Sequence, residues 1–248
     1  MDAIILAAGR GSRLGNITVQ TPKPMVLLAG KSLFEWQCQS LTAAGINRIS
    51  VITGYGAAAF DSFDGDHFYN PRWQSSNMVE SLCQAASKLS TGVNIISYGD
   101  IAYRADIVQM LMACSADIAI SCDLEWYSLW QARFDDPLSD AETFEQIDGK
   151  LAAIGERTDS LEKIQGQYMG LLKITPTGWG SISSFLDTLT DDLVCRIDMT
   201  TLLRSLLSYG VEISVVNIQG GWVEVDTPHD LELYEEMVKV SDWSHSWK

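Results

Sequence analysis

The sequence predicts an α/β protein built on a Rossmann-like, doubly wound, mixed and mainly parallel sheet. Four short apolar runs, at 2–7, about 48–53, 93–98 and 117–122, read as buried strands. Helix-patterned stretches separate them, and a β-α-β alternation of this kind places parallel strands in one sheet with the ligand site at their carboxyl ends. The length of 248 residues, with 46% hydrophobic and 20% charged residues, suits one such domain and excludes global disorder.

Each element has its own signal. The run at 2–7 is stopped by the Gly9–Gly11 loop. Ser32 and Glu35 form the capping-box pattern that opens a helix, and Gly45 ends it. Asn77 precedes a helical pattern to about Leu89, and 106–114 is a further helix. In the second half, 143–147 and 151–155 flank Asp148-Gly149, a favoured type I′ hairpin turn, with 167–174 as a longer strand beside them. The segment 124–174 therefore reads as a β-rich insertion or lid. Residues 176–189 and 198–209 are helical, 211–216 and 222–225 are short strands, and Thr227 caps a last helix to about Val240. One domain spans 1–240, and 241–248 is expected to be a loose tail.

Composition narrows the function. With 17 basic against 32 acidic residues the net charge is -15, which disfavours nucleic acid and anionic membrane as partners. Five scattered cysteines without a C-x-x-C pair argue against a disulfide framework or a zinc site and fit a reducing cytoplasm. No apolar stretch reaches membrane-spanning length, and the opening run is too short for a signal peptide.

The strongest motif is Leu6-Ala7-Ala8-Gly9-Arg10-Gly11-Ser12-Arg13-Leu14 with Thr21-Pro22-Lys23-Pro24, directly after the first strand. Glycines let the backbone approach phosphates and aim N–H groups at them, while Arg10, Arg13 and Lys23 add positive charge to an acidic chain. Residues 6–12 are the candidate nucleotide loop, and Arg13 and Lys23 the candidate catalytic cations. Leu14 stands where a dinucleotide fingerprint needs a third small residue, and the P-loop pattern is absent.

These motifs resemble the signature of the sugar-phosphate and choline-phosphate nucleotidyltransferase superfamily. The resemblance implies the nucleotide-diphospho-sugar transferase type of fold. Tyr98-Gly99-Asp100 and Glu224-Val225-Asp226 look like its two metal-binding positions, which makes Asp100 and Asp226 the expected Mg²⁺ ligands. The stretch 73–82 looks like the base-holding segment of cytidylyltransferases, with Asn77 and Ser81 one helical turn apart. Residues 164–173, 198–200 and 221–226 are most similar to cytidylyltransferases associated with phosphoenolpyruvate mutase, which handle phosphonates such as 2-aminoethylphosphonate. CTP and a small phosphonate or phosphate ester are therefore the implied substrates. Choline phosphate, a sugar 1-phosphate and a non-catalytic nucleotide-binding module are the alternatives, and monomer or homodimer stays open.

The acceptor is read from aromatic residues near a carboxylate. Asp123, Trp126, Tyr168 and Trp222 are expected to form a cage for an ammonium group through charge and cation–π attraction. His67, His229 and His245 carry no partner pattern and receive no catalytic role. Ser12 and Ser81 have no adjacent base, so a covalent serine mechanism lacks an activator.

Overall fold

The computed structural model describes residues 1–248. Its first strand, β1 (Asp2–Ala7), alternates its side chains between two cores. Ile4 and Leu6 enter one cluster of buried apolar residues while Ala3, Ile5 and Ala7 enter the other. That placement requires helices on both faces, as parallel sheets generally do. A two-residue ribbon, β2 (Leu27–Leu28) and β3 (Lys31–Ser32), leads into α1 (Leu33–Ala43). Both halves of the capping box form there, with Glu35 N donating to Ser32 Oγ at 3.1 Å and Ser32 N donating to Glu35 Oε2 at 2.7 Å.

The chain continues through β4 (Ile49–Thr53), β5 (Asp66–Tyr69), α2 (Met78–Cys83), α3 (Ala86–Leu89), β6 (Asn94–Tyr98), β7 (Ile101–Tyr103), α4 (Ala105–Ala113), β8 (Ile118–Asp123) and α5 (Trp126–Arg133). The helix expected from Asn77 to Leu89 is thus two short helices. The second half contributes β9 (Glu142–Ile147), β10 (Lys150–Arg157), β11 (Gln167–Ile174), α6 (Pro176–Leu186), α7 (Asp191–Arg196), α8 (Met199–Ser208), β12 (Ser214–Ile218), β13 (Trp222–Glu224) and α9 (Pro228–Met237).

Nine strands form one sheet in the order β5-β4-β1-β6-β11-β8-β12-β10-β9. Strands β5, β4, β1 and β6 are mutually parallel, β11 runs antiparallel between β6 and β8, and β12 is parallel to β8. α1, α4, α5 and α9 cover one face, and α2, α6 and α8 the other. The fold is the Rossmann-like nucleotide-diphospho-sugar transferase type, as the alternating elements predict.

Two expectations change. The segment 124–174 is not a separate lid: it holds a helix, an edge hairpin, and in β11 a central strand whose Leu171, Leu172 and Ile174 are fully buried. The hairpin turn itself is as expected, with positive φ at Asp148 (51°) and Gly149 (73°). Residues 241–248 are not loose, since His245 and Trp247 are only 1% and 2% exposed. Trp247 packs edge-on to Trp36 and Tyr234, so burying its indole outweighs the freedom of a short polar segment. No helix is long and apolar enough to cross a membrane.

Candidate active site

The site starts from a second, two-stranded ribbon at the carboxyl end of β6. β13 pairs antiparallel with β7 in the register Glu224↔Ile101, and Val225 N donates to Asp100 O at 2.9 Å. Backbone pairing therefore brings Asp100, Glu224 and Asp226 together, with one oxygen from each within 4.8 Å of the others.

Lys23 crosses this cluster. Its Nζ donates to Asp100 Oδ2 at 2.7 Å and to Asp226 Oδ1 at 2.5 Å. Its aliphatic stem passes against Gly11, where a Cβ would meet Lys23 Cβ at 2.6 Å and where φ is +74°. Only glycine suits both constraints. Gly99 is similarly required, because a Cβ there would stand 2.5 Å from Leu6 O and 2.7 Å from Pro24 Cγ. Arg13 reaches Asp226 Oδ1 at 2.8 Å from solvent.

A third cation comes from beneath. Arg133 is fully buried, with Nε 3.0 Å from Asp230 Oδ1 and further contacts of 3.3 Å to Glu224 and 3.6 Å to Asp226. Asp230 Oδ2 accepts from Asp226 N at 2.9 Å and Thr227 N at 2.8 Å, which closes the capping box of α9 and fixes the Asp226 backbone.

Opposing charges set the protonation of this cluster. Burial would lower the Lys23 ammonium, but Asp100 and Asp226 hold its pKa above the ordinary lysine value. Burial and the Asp226 charge push Glu224 up to about 8 against the pull of Arg133. Burial would also raise Asp226, yet Lys23, Arg13 and Arg133 keep it below the usual carboxylate range.

The donor set fits a divalent cation. Asp100 Oδ1 is buried without a hydrogen-bond partner, three carboxylates converge, and hard oxygen donors suit Mg²⁺ or Mn²⁺. Asp100, Asp226 and Glu224 would hold such an ion, and its charge would relieve the repulsion that raises Glu224.

Two cavities meet the cluster. One of about 190 Å³ is walled by Leu6, Ala7, Gly9, Gly11, Lys23 and Asp100, among others. The other, about 340 Å³, is lined by five carboxylates (Asp140, Glu142, Asp198, Glu224 and Asp226) together with Tyr98, Trp130 and Tyr168. Arg13 is the cation on its wall. Burial raises both Asp140 and Glu142, and Asp226 and Asp198 respectively add to the shift. The hydroxyls of Tyr98 and Tyr168 are buried there without a hydrogen-bond partner.

Residues 3–156 match the MobA-like NTP transferase domain. The chain belongs to that family. A relative from Campylobacter jejuni, "CTP:phosphoglutamine cytidylyltransferase", is 34% identical over 95% of this chain and 100% of its own. "2-Aminoethylphosphonate cytidylyltransferase" from Lancefieldella rimae is 31% identical over 40% of this chain and 43% of its own. The solved CTP:phosphocholine cytidylyltransferase of Streptococcus pneumoniae superposes with a TM-score of 0.70 at 21% identity, covering 96% of this chain and 98% of that one. The chain is a nucleotidyltransferase, a class that generally works with a divalent metal ion.

This MobA-like chain assembles some of the expected site residues and disperses others. Leu6, Ala7, Gly9, Gly11, Lys23 and Asp100 share the smaller cavity, while Arg13, Tyr168 and Asp226 share the larger. Ala8 is buried beside the loop, and Arg10 and Ser12 are exposed, with Arg10 over the Tyr55 ring at 5.7 Å. Asn77 caps α2 through Oδ1, which accepts from Met78 N at 2.8 Å. Ser81 is 5% exposed, and its hydroxyl accepts from Asn70 Nδ2 at 3.0 Å. Neither Asn77 nor Ser81 lines either cavity; Met78 lines both.

The expected ammonium cage does not form as read. Asp123 is fully buried and bonds Gly220 N, Trp222 Nε1 and His245 Nε2, each at 2.9 Å. Trp222 is spent on that contact, and Trp126 packs against Trp130 within the core. Of that set, only Tyr168 faces the cavity.

Residues that sequence reasoning missed supply the rest. Asp230 was detectable, because Thr227-x-x-Asp230 is a capping-box pattern. Glu224 lay within the quoted motif. Arg133, Asp140 and Glu142 carry no local signal, being brought in by α5 and the sheet edge.

Proposed function

We propose that this chain transfers CMP from CTP to a small phosphonate or phosphate ester bearing an amino group, and releases pyrophosphate. The observation that carries the acceptor class is the larger cavity, whose five carboxylates and four aromatic rings favour a cation. The cytidine reading is supported by the names of the relatives, and from the 73–82 segment Met78 reaches both cavities.

An ionised acceptor oxygen attacks the α-phosphorus in line. One P–O bond forms as the bond to the pyrophosphate oxygen breaks, and that oxygen leaves with the electron pair. No general base is needed, since the attacking oxygen is already deprotonated. The loop at 9–12 aims backbone N–H groups at the triphosphate, and Lys23 and Arg13 offset charge that builds at the reacting centre. A bound Mg²⁺ would supply further charge neutralisation at the phosphate oxygens from Asp100, Glu224 and Asp226.

2-Aminoethylphosphonate is one acceptor of this class. Phosphoglutamine, which also bears an amino group although glutamine has no hydroxyl to form a phosphate ester, is a second candidate, favoured by the full-length similarity to the Campylobacter relative. Pyrophosphate release from CTP with these two, phosphocholine and glucose 1-phosphate tests the reading. Turnover with an amine-bearing acceptor is expected, and turnover with glucose 1-phosphate alone would overturn it.

A further inference from the structure

We infer that residues 241–248 form a strap that positions Glu224, at the end of β13, and Asp226 just beyond it; the inference rests on reading those carboxylates as part of the catalytic centre. The segment touches the ribbon by two routes. His245 donates from Nε2 to Asp123 Oδ2, and the same oxygen accepts from Trp222 Nε1, so one buried carboxylate ties the strap to the first residue of β13. Trp243 stacks on Tyr234 at 5.8 Å, and the Tyr234 hydroxyl donates to Glu224 O at 3.1 Å.

The strap also lies directly on the turn that feeds β13. Gly221 N donates to Ser244 O at 2.8 Å, and a side chain at Gly220 would run into that same carbonyl. Both glycines have positive φ, 60° and 74°, so the turn is shaped to receive the strap. Three consecutive strap residues thus hold the turn, the start of β13 and, through Tyr234, its end.

No strap residue lines either cavity at the carboxylate cluster, so the role is positioning and not catalysis. Four donors converge on Asp123, from the Gly220 and Glu125 amides, Trp222 Nε1 and His245 Nε2, and a buried carboxylate is costly unless its partners stay in place. Loss of His245 therefore loosens Trp222 and, two residues on, Glu224.

Two variants and two readouts test this. His245→Leu removes the donor, and His245→Gln keeps an N–H of similar reach. Hydrogen–deuterium exchange of amides 222–226 should rise about tenfold in His245→Leu while β1 and β4 amides keep their rates. With CTP and 2-aminoethylphosphonate, kcat should fall roughly tenfold, the scale of losing an orienting outer partner, with KM for CTP within about twofold. His245→Gln should restore both. Exchange that rises equally across the sheet, or a local rise with unchanged kcat, would overturn the strap. The exchange arm needs no turnover, so a wild-type chain inactive on these substrates would refute the proposed acceptor or nucleotide while leaving the strap to be decided by exchange. Trp243→Leu carries the same readouts should His245→Leu not fold.

Discussion

Gly11 and Lys23 occupy the same space: a Cβ on the glycine would stand 2.6 Å from the Cβ of the lysine. The phosphate loop and the cation that crosses the acidic cluster are therefore one unit, joined by the absence of a side chain. Gly11→Ala should displace the Lys23 stem and strain a backbone held at φ +74°. Its kcat should fall at least tenfold with a lower Tm, and steady-state kinetics beside a thermal melt measure both. Wild-type kcat would show that the lysine has room to move.

Lys23→Ala removes the ammonium itself. The expected loss in kcat is roughly 10²-fold, the scale of one preorganised charge donor at developing negative charge. A raised KM for CTP with unchanged kcat would instead assign Lys23 to ground-state binding.

Asp100 and Asp226 separate by stability. Asp100→Ala should abolish turnover with little change in Tm, because its carboxylate is partnered only by Lys23. Asp226→Ala should abolish turnover and also cost roughly 3–5 kcal/mol, since it strips partners from Lys23 and from the fully buried Arg133. Denaturant unfolding of the two variants makes the comparison, and equal stability would mean that Asp230 and Glu224 suffice for Arg133.

Acid should loosen the strap. Hydrogen bonds from His245, Gly220 and Trp222 outweigh burial and lower the Asp123 pKa. A carboxylate lowered on folding adds stability above its unfolded value, and that contribution is lost as pH falls through the folded one. Melting followed downward from neutral pH should show a shallower acid limb in Asp123→Asn, with His245 the titratable group facing the site. Identical limbs would remove Asp123 from the acid response.

Much of the site is legible because it sits where strands end. The Gly9–Gly11 loop, Asp100 and Asp226 all follow short apolar runs, and the fold rule places such positions together, while Lys23 was found through the Thr21-Pro22-Lys23-Pro24 motif. The acceptor wall was misread for a physical reason. Trp126 and Trp130 lie four residues apart, which is the apolar stripe of a helix, and they pack against each other at 5.9 Å. Asp123, close in sequence, is taken up by buried hydrogen bonds to Trp222 and His245, and Trp222 in turn packs on Trp130 at 6.3 Å. The 241–248 strap escaped because eight residues are too few for a periodicity, and its two tryptophans are explained only by Tyr234 and Trp36 across the fold. Glu142 and Asp140 reach the cavity because the β9–β10 hairpin joins the sheet through β12, a long-range pairing that no local pattern encodes.

The most direct measurement compares kcat/KM for 2-aminoethylphosphonate and its uncharged hydroxyethyl analogue, with CTP, in the wild-type chain and in Glu142→Gln. Glu142 lines the cavity and its carboxylate is raised by burial and by Asp198, so the variant removes one negative charge at nearly constant shape. The wild-type enzyme should prefer the amine, and Glu142→Gln should lower that preference by about tenfold, or roughly 1.4 kcal/mol, with KM for CTP unchanged. Equal use of the two acceptors by the wild-type chain would contradict the cationic acceptor and leave the acidic cavity without that role.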